Sequence, residues 1–130
     1  MCNRLTLVHR WSRYGRSWTL NQPHDPSKPV SPTSAANGGM GAAASKAGTA
    51  GVVTREAGFL SYYEILEMRA QPDTTTVYDP TSRTYFSVNG NQWVGYDTPE
   101  TMNDKVCGCM WLYVAVCGCV AVCGCGAGCG

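Results

Sequence analysis

Between Cys2 and Cys107 this 130-residue chain has no cysteine, although it has eight in all; the other seven lie from Cys107 to Cys129. Disulfides therefore cannot staple the intervening body, which must hold itself by packing or lean on a partner surface. An excess of one charge is also lacking. Lys and Arg number 10 against 9 Asp and Glu, a net charge of +1, so there is no electrostatic footprint for a polyanion and nucleic acid is not an expected partner. The first residues carry Arg4, His9 and Arg10 around a short apolar stretch, far below the roughly 7 to 15 apolar residues of a signal-peptide core. No signal peptide is expected in this chain. After Lys105 there is no charged residue at all.

What is present divides the chain by composition into four parts. A basic start, 1–13, leads to a Pro/Ser and then Ala/Gly stretch, followed by an aromatic-rich body and a Cys/Gly/Val tail, 107–130. The length fits one domain. Residues 21–54 contain Pro23, Pro26, Pro29 and Pro32 and then A-A-N-G-G-M-G-A-A-A-S-K-A-G-T-A-G. Proline removes backbone donors and glycine carries high chain entropy, so a long mobile loop is expected here.

In T-R-E-A-G-F-L-S-Y-Y-E-I-L-E-M-R, Thr54 can cap, and Phe59, Tyr62, Tyr63, Leu66 and Met68 fall near helical spacing, predicting a helix over about 58–69. After Pro72 the chain turns β-branched and aromatic, predicting three short strands. Asp79-Pro80-Thr81-Ser82 divides the first pair, and Asn89-Gly90 suits a type I′ hairpin in the second. Asp97-Thr98-Pro99-Glu100 supplies a capping oxygen, a first-turn proline and a carboxylate at the positive end of a helix dipole. A further helix should start there and run to about Val106.

Three segments occur in a telling order: Y-G-R-S-W-T-L at 14–20, R-E-A-G-F-L-S-Y-Y-E-I at 55–65 and N-G-N-Q-W-V-G-Y-D at 89–97. Together they resemble family 18 glycoside hydrolases, the chitinases and chitinase-like lectins, over roughly residues 14–106. The resemblance implies that the first motif ends the seventh strand of a TIM barrel and that the other two lie in an α+β insertion domain. The expected fold is thus α+β: a small, mainly antiparallel sheet with one packed helix, an incomplete barrel and disordered ends.

The resemblance also implies sugar contacts. Tyr14 and Arg16 would sit at the mouth of the barrel and face the sugar, a phenol offering a flat face with a hydroxyl and a guanidinium a rigid fork of donors. Glu64 resembles the insertion-domain glutamate that accepts hydrogen bonds from a chitin-type sugar; its alternative reading is an exposed helix carboxylate near Arg69. Trp93 and Tyr96 in N-Q-W-V-G-Y offer flat faces for stacking on a sugar, but alternation puts them on different strand faces, so one of the two is expected in the core of the sheet instead. Leu66 stands where many animal relatives have cysteine, so one family disulfide is not expected.

The family's hydrolysis needs an acidic strand end, D-x-x-D-x-D-x-E, whose glutamate protonates the leaving oxygen while the substrate's acetamido group acts as nucleophile. The 130 residues do not contain it. The implied function is therefore that of a non-catalytic piece of an extracellular chitinase, without cofactor and with no assigned catalytic or metal-binding residue. Its expected partners are chitin or N-acetylglucosamine oligosaccharides, bound weakly, with non-specific self-association through an uncovered docking surface.

The tail repeats A-V-C-G-C, which fits translation of a GT-rich tract without function. The competing reading is a cysteine-rich metal-binding protein that acts through its C-x-C thiolates. A membrane span fits poorly with the repeated glycines.

Overall fold

The computed structural model describes residues 14–105. They fall in two units divided between Tyr96 and Asp97. The first consists of strand β1 (Tyr14–Leu20), β2 (Ala44–Ala47), β3 (Phe59–Ser61), helix α1 (Tyr62–Arg69), β4 (Thr75–Asp79), β5 (Thr84–Asn89) and β6 (Gln92–Tyr96). The sheet order is β2-β1-β6-β5-β4, with β3 also on β1, and every pairing is antiparallel. The expected α+β fold is present.

The strands expected after Pro72 are β4, β5 and β6. The sheet's other half comes from upstream. Tyr14–Leu20 pairs antiparallel with β6 along one edge and with β2 and β3 along the other; the barrel strand that this motif is expected to end would precede Tyr14, outside the described residues. The physical signature is its alternation: Tyr14, Arg16 and Trp18 are exposed while Gly15, Ser17 and Thr19 are buried. Such alternation marks a strand whose two faces are covered differently.

β2 reads A-S-K-A and is exposed throughout, a composition with little strand preference of its own. It is a strand because β1 presents an edge whose backbone groups need partners. Thr19 Oγ1 adds a bond to Ala47 O at 3.0 Å, and Gly48 N donates to Ser17 O at 3.0 Å.

The proline-rich run before β2 is tied down rather than loose. His24 is buried, with Nδ1 3.2 Å from Asn37 O and Nε2 2.9 Å from Thr75 Oγ1. Asn37, at φ 52°, accepts Asp25 N–H at 2.7 Å and donates to the carbonyls of Asp25 and Lys28. Asparagine tolerates that left-handed backbone. Val30, Met40 and Ala42 then pack on Leu20, Phe86 and Val88. The expectation of a long mobile loop thus gives way to a strand and a hydrogen-bonded cover.

Helix α1 starts later than the sequence reading, at Tyr62 rather than about residue 58, because Ser61 and Glu64 form a capping box. Ser61 Oγ accepts the Glu64 N–H while Glu64's carboxylate accepts the Ser61 N–H. Phe59, expected in the helix, lies in β3. The inward side chains are Tyr62, Ile65 and Met68, spaced by three, whereas Tyr63 and Leu66 are exposed. The β5–β6 hairpin turns at Gly90-Asn91, with Asn89 opposite Gln92. Only Gly90 of the two has a positive φ, 54°, so the turn is not the type I′ form that requires both.

The sheet carries a small core on each face. Ile65, Val94 and Tyr96 anchor the side covered by α1; Leu20, Phe86 and Val88 anchor the side covered by the 21–43 segment. Tyr96 is the buried aromatic of its pair, and its hydroxyl lies 3.0 Å from Ser87 Oγ.

In the second unit, residues 99–105 are helical. Thr98 Oγ1 accepts the Thr101 N–H, while Asp97 accepts from the Thr101 hydroxyl and pairs with Lys105 at 2.5 Å. The cap expected near Asp97 is thus provided by Thr98. The basic start and the cysteine tail lie outside the described residues.

Candidate functional site

In an antiparallel sheet, residues directly opposite share a face. Arg16 is opposite Gly95 and Phe59, and Trp18 is opposite Trp93. One face of β1 therefore presents Tyr14, Arg16 and Trp18 in a row, flanked by Phe59 and Trp93. Tyr14 is 47% and Trp18 45% exposed. The Arg16 guanidinium lies 4.4 Å from the Phe59 ring centroid, and Tyr14 meets the same ring edge-on at 5.5 Å. Phe59 thus holds a cation and a phenol side by side, through a cation–π contact and an edge-to-face contact.

Further along the row, Trp93 stacks on Phe86 with centroids 5.5 Å apart, and its ring lies over Gly95. Trp18 is the open partner of this pair. The two indoles border a groove of about 240 Å³ whose other walls are Leu20 and the 39–44 segment.

Glu64 has a different setting. It is 7% exposed. Oε1 accepts the N–H groups of Val53 (2.7 Å) and Thr54 (3.2 Å), and Oε2 accepts Ser61 N (2.8 Å), Ser61 Oγ (2.8 Å) and Thr54 Oγ1 (3.1 Å). Gly51 lies so close that a Cβ there would sit 2.0 Å from Oε1. Burial, the largest influence, pushes the carboxyl pKa up; the bonds from Ser61, Val53 and Thr54 more than offset it and hold the group at about 2. A carboxylate has about four lone-pair positions. With five protein donors on it, Glu64 has no position left for another donor while those bonds stand. It is neither the exposed helix carboxylate of one reading nor, in this conformation, the open acceptor of the other.

The structure thus brings Tyr14 and Arg16 together on one face and gives Glu64 to the 51–54 loop and the start of α1. Sequence reasoning missed Ser61, Phe59 and Trp18. Ser61 was legible, since S-Y-Y-E is the spacing of a capping box. Trp18 was legible as the third member of a period-two row. Phe59 was obscured by its fit to a helical pattern.

The family profile described as "Glycosyl hydrolases family 18" matches residues 6–110, most of the chain. The chain belongs to glycosyl hydrolases family 18. Human chitinase-3-like protein 2 is 42% identical over 59 residues, which are 45% of this chain and 15% of that protein. A class V chitinase of Medicago truncatula is 31% identical over 100 residues, 77% of this chain and 22% of the relative.

Among solved structures, an immunomodulatory active chitinase from Trichuris suis is 35% identical with a TM-score of 0.58, over 80% of this chain and 23% of its own. Human YKL-39, a pseudo-chitinase with retained chitooligosaccharide binding, is 34% identical with a TM-score of 0.56, over 72% of this chain and 22% of its own. The chain therefore spans less than a quarter of the length of these family 18 relatives.

Among the described residues, no helix is long and apolar enough to cross a membrane, and no group of three His, Cys, Asp or Glu side chains is gathered as for a metal ion. The metal-binding alternative rests on Cys107–Cys129, outside the described residues.

Proposed function

We propose that this family 18 chain supplies a chitooligosaccharide-contacting face, corresponding to the insertion domain of an extracellular chitinase, and that these 130 residues do not hydrolyse the sugar. The observation that carries the reading is the Tyr14–Phe59–Arg16 arrangement, in which a phenol and a guanidinium are exposed side by side on a rigid strand. Such a pair offers an apolar surface to a pyranose ring and donors to its hydroxyl and acetamido oxygens. The reading is supported by a relative whose name records retained chitooligosaccharide binding and by a class V chitinase mutant from Cycas revoluta solved with (GlcNAc)3.

Glu64 has the supporting part in this proposal. The Thr54 and Ser61 hydroxyls are the only donors on it that can turn to other acceptors. It contacts sugar only by exchanging one of them, and otherwise it shapes the neighbouring loop. The proposed lack of hydrolysis rests on the absence of D-x-x-D-x-D-x-E from the 130 residues. The expected affinity is weak, because one strand face covers one side of a sugar chain.

The test is a calorimetric titration with the N-acetylglucosamine hexamer and with the glucose hexamer, beside an assay for reducing ends released from the former. Saturable binding of the first, weaker binding of the second and no release are expected. Equal binding of both refutes acetamido recognition, and release refutes the proposed inactivity.

A further inference from the structure

The groove beside Trp18 is not used by the Tyr14 and Arg16 contacts, and its chemistry suits a sugar. Trp18, Trp93, Leu20, Met40, Ala42 and Ala44 line it, with Gly39 and Gly41 as the remaining walls, so no charged side chain borders it. Its 240 Å³ lies below the roughly 300 Å³ at which pockets for whole drug-sized ligands begin, a size for one ring rather than an oligomer. Trp18 stands two positions beyond Arg16 on the same strand face. At about 3.3 Å per residue, Tyr14 to Trp18 covers about 13 Å, a length of several linked pyranoses.

The partner of Trp18 is fixed. Trp93 is held between Phe86 and Gly95, so Trp18 keeps an open indole face above a wall that does not yield. An oligosaccharide seated on Tyr14 and Arg16 and running along β1 reaches this indole next.

We propose that Trp18 is a second sugar-binding element, on which the C–H face of a further N-acetylglucosamine ring stacks, with its acetamido methyl against Met40, Ala42 and Ala44. This inference rests on the binding reading above. It adds that the chain recognises oligomer length, long oligomers engaging both elements and short ones only the Tyr14–Arg16 end.

The experiment is titration of the intact chain with the N-acetylglucosamine dimer and hexamer, for wild type, Trp18→Ala, Trp18→Phe and Ala44→Glu. Ala44 is exposed at the groove rim, so Ala44→Glu fouls the groove without removing core and decides the matter if Trp18→Ala does not fold. The worth of an aromatic stacking contact predicts a roughly two- to tenfold loss of hexamer affinity in Trp18→Ala and Ala44→Glu. Trp18→Phe should recover most of it, and dimer affinity should be unchanged. Hexamer and dimer affinities that fall together, or a hexamer affinity that does not fall, overturn the proposal. Absence of wild-type binding to either sugar overturns the underlying reading instead, so the two failures are distinguishable.

Discussion

Replacing Glu64 by Gln keeps the shape of the side chain and removes its charge, which isolates what the buried carboxylate does. An amide in the same position has one acceptor oxygen and two donors. If the oxygen takes the Oε1 position, the Ser61 N–H faces a donor; if it takes Oε2, the Val53 and Thr54 N–H groups do. At least one buried backbone donor is stranded either way, at a cost of about 1–3 kcal/mol.

The depressed pKa gives a second figure. A pKa held at about 2 against an ordinary 4.5 corresponds to at most about 3.5 kcal/mol, at roughly 1.4 kcal/mol per pKa unit. The stranded donor centres the expected loss in Glu64→Gln on about 2 kcal/mol at pH 7, within the bound set by the pKa, a large share of the stability of a domain with so small a core.

Because the folded pKa is depressed, this contribution is fully present above pH 4.5 and is lost as pH falls from 4.5 toward 2. Wild type and Glu64→Gln should therefore differ most near neutrality and converge at low pH. Urea unfolding followed by tryptophan fluorescence at pH 7, 5, 4 and 3 measures the difference. No loss at pH 7, or a gap that stays constant down to pH 3, would refute the assignment of Glu64 as a charged tie between the loop and α1.

Gly51→Ala should act through the same tie, since its Cβ would collide with Oε1; about 1–3 kcal/mol is expected, as for other overpacked sites. In a double-mutant cycle with Glu64→Gln the two effects should fall short of additive, and strict additivity would show that Gly51 acts elsewhere. His24→Ala removes the link between the 21–43 segment and β4. Limited proteolysis should then cut within 25–43 several times faster than in wild type, and an unchanged rate would mean that the backbone and Asn37 hydrogen bonds and the packing of Val30, Met40 and Ala42 hold the segment without the imidazole.

Legibility of the fold followed how local each cause was. The strands β4 to β6 were visible because β-branched and aromatic residues coincide there with Asp79-Pro80 and Asn89-Gly90 turn signals. The A-S-K-A strand was invisible, because its reason for existing is the unpaired edge of β1, not its own side chains. The start of α1 was misread when aromatic spacing outweighed the S-x-x-E cap, which has the more direct physical claim on a helix terminus.

For the site, the Y-G-R motif singled out Tyr14 and Arg16, which the structure places on one exposed face. The motif could not reveal that Glu64 would be saturated, since three of its five donors come from Val53 and Thr54, about ten residues away in a glycine-rich stretch.

The central claim is that the exposed face of β1 contacts chitin-type sugar. Titration of wild type and Arg16→Ala with the N-acetylglucosamine hexamer, under conditions where both are folded, tests it most directly. Loss of a charge-assisted donor fork worth about 1.5–3 kcal/mol predicts a hexamer affinity roughly ten- to a hundredfold weaker in Arg16→Ala. An Arg16→Ala protein that binds the hexamer as tightly as wild type would contradict the claim.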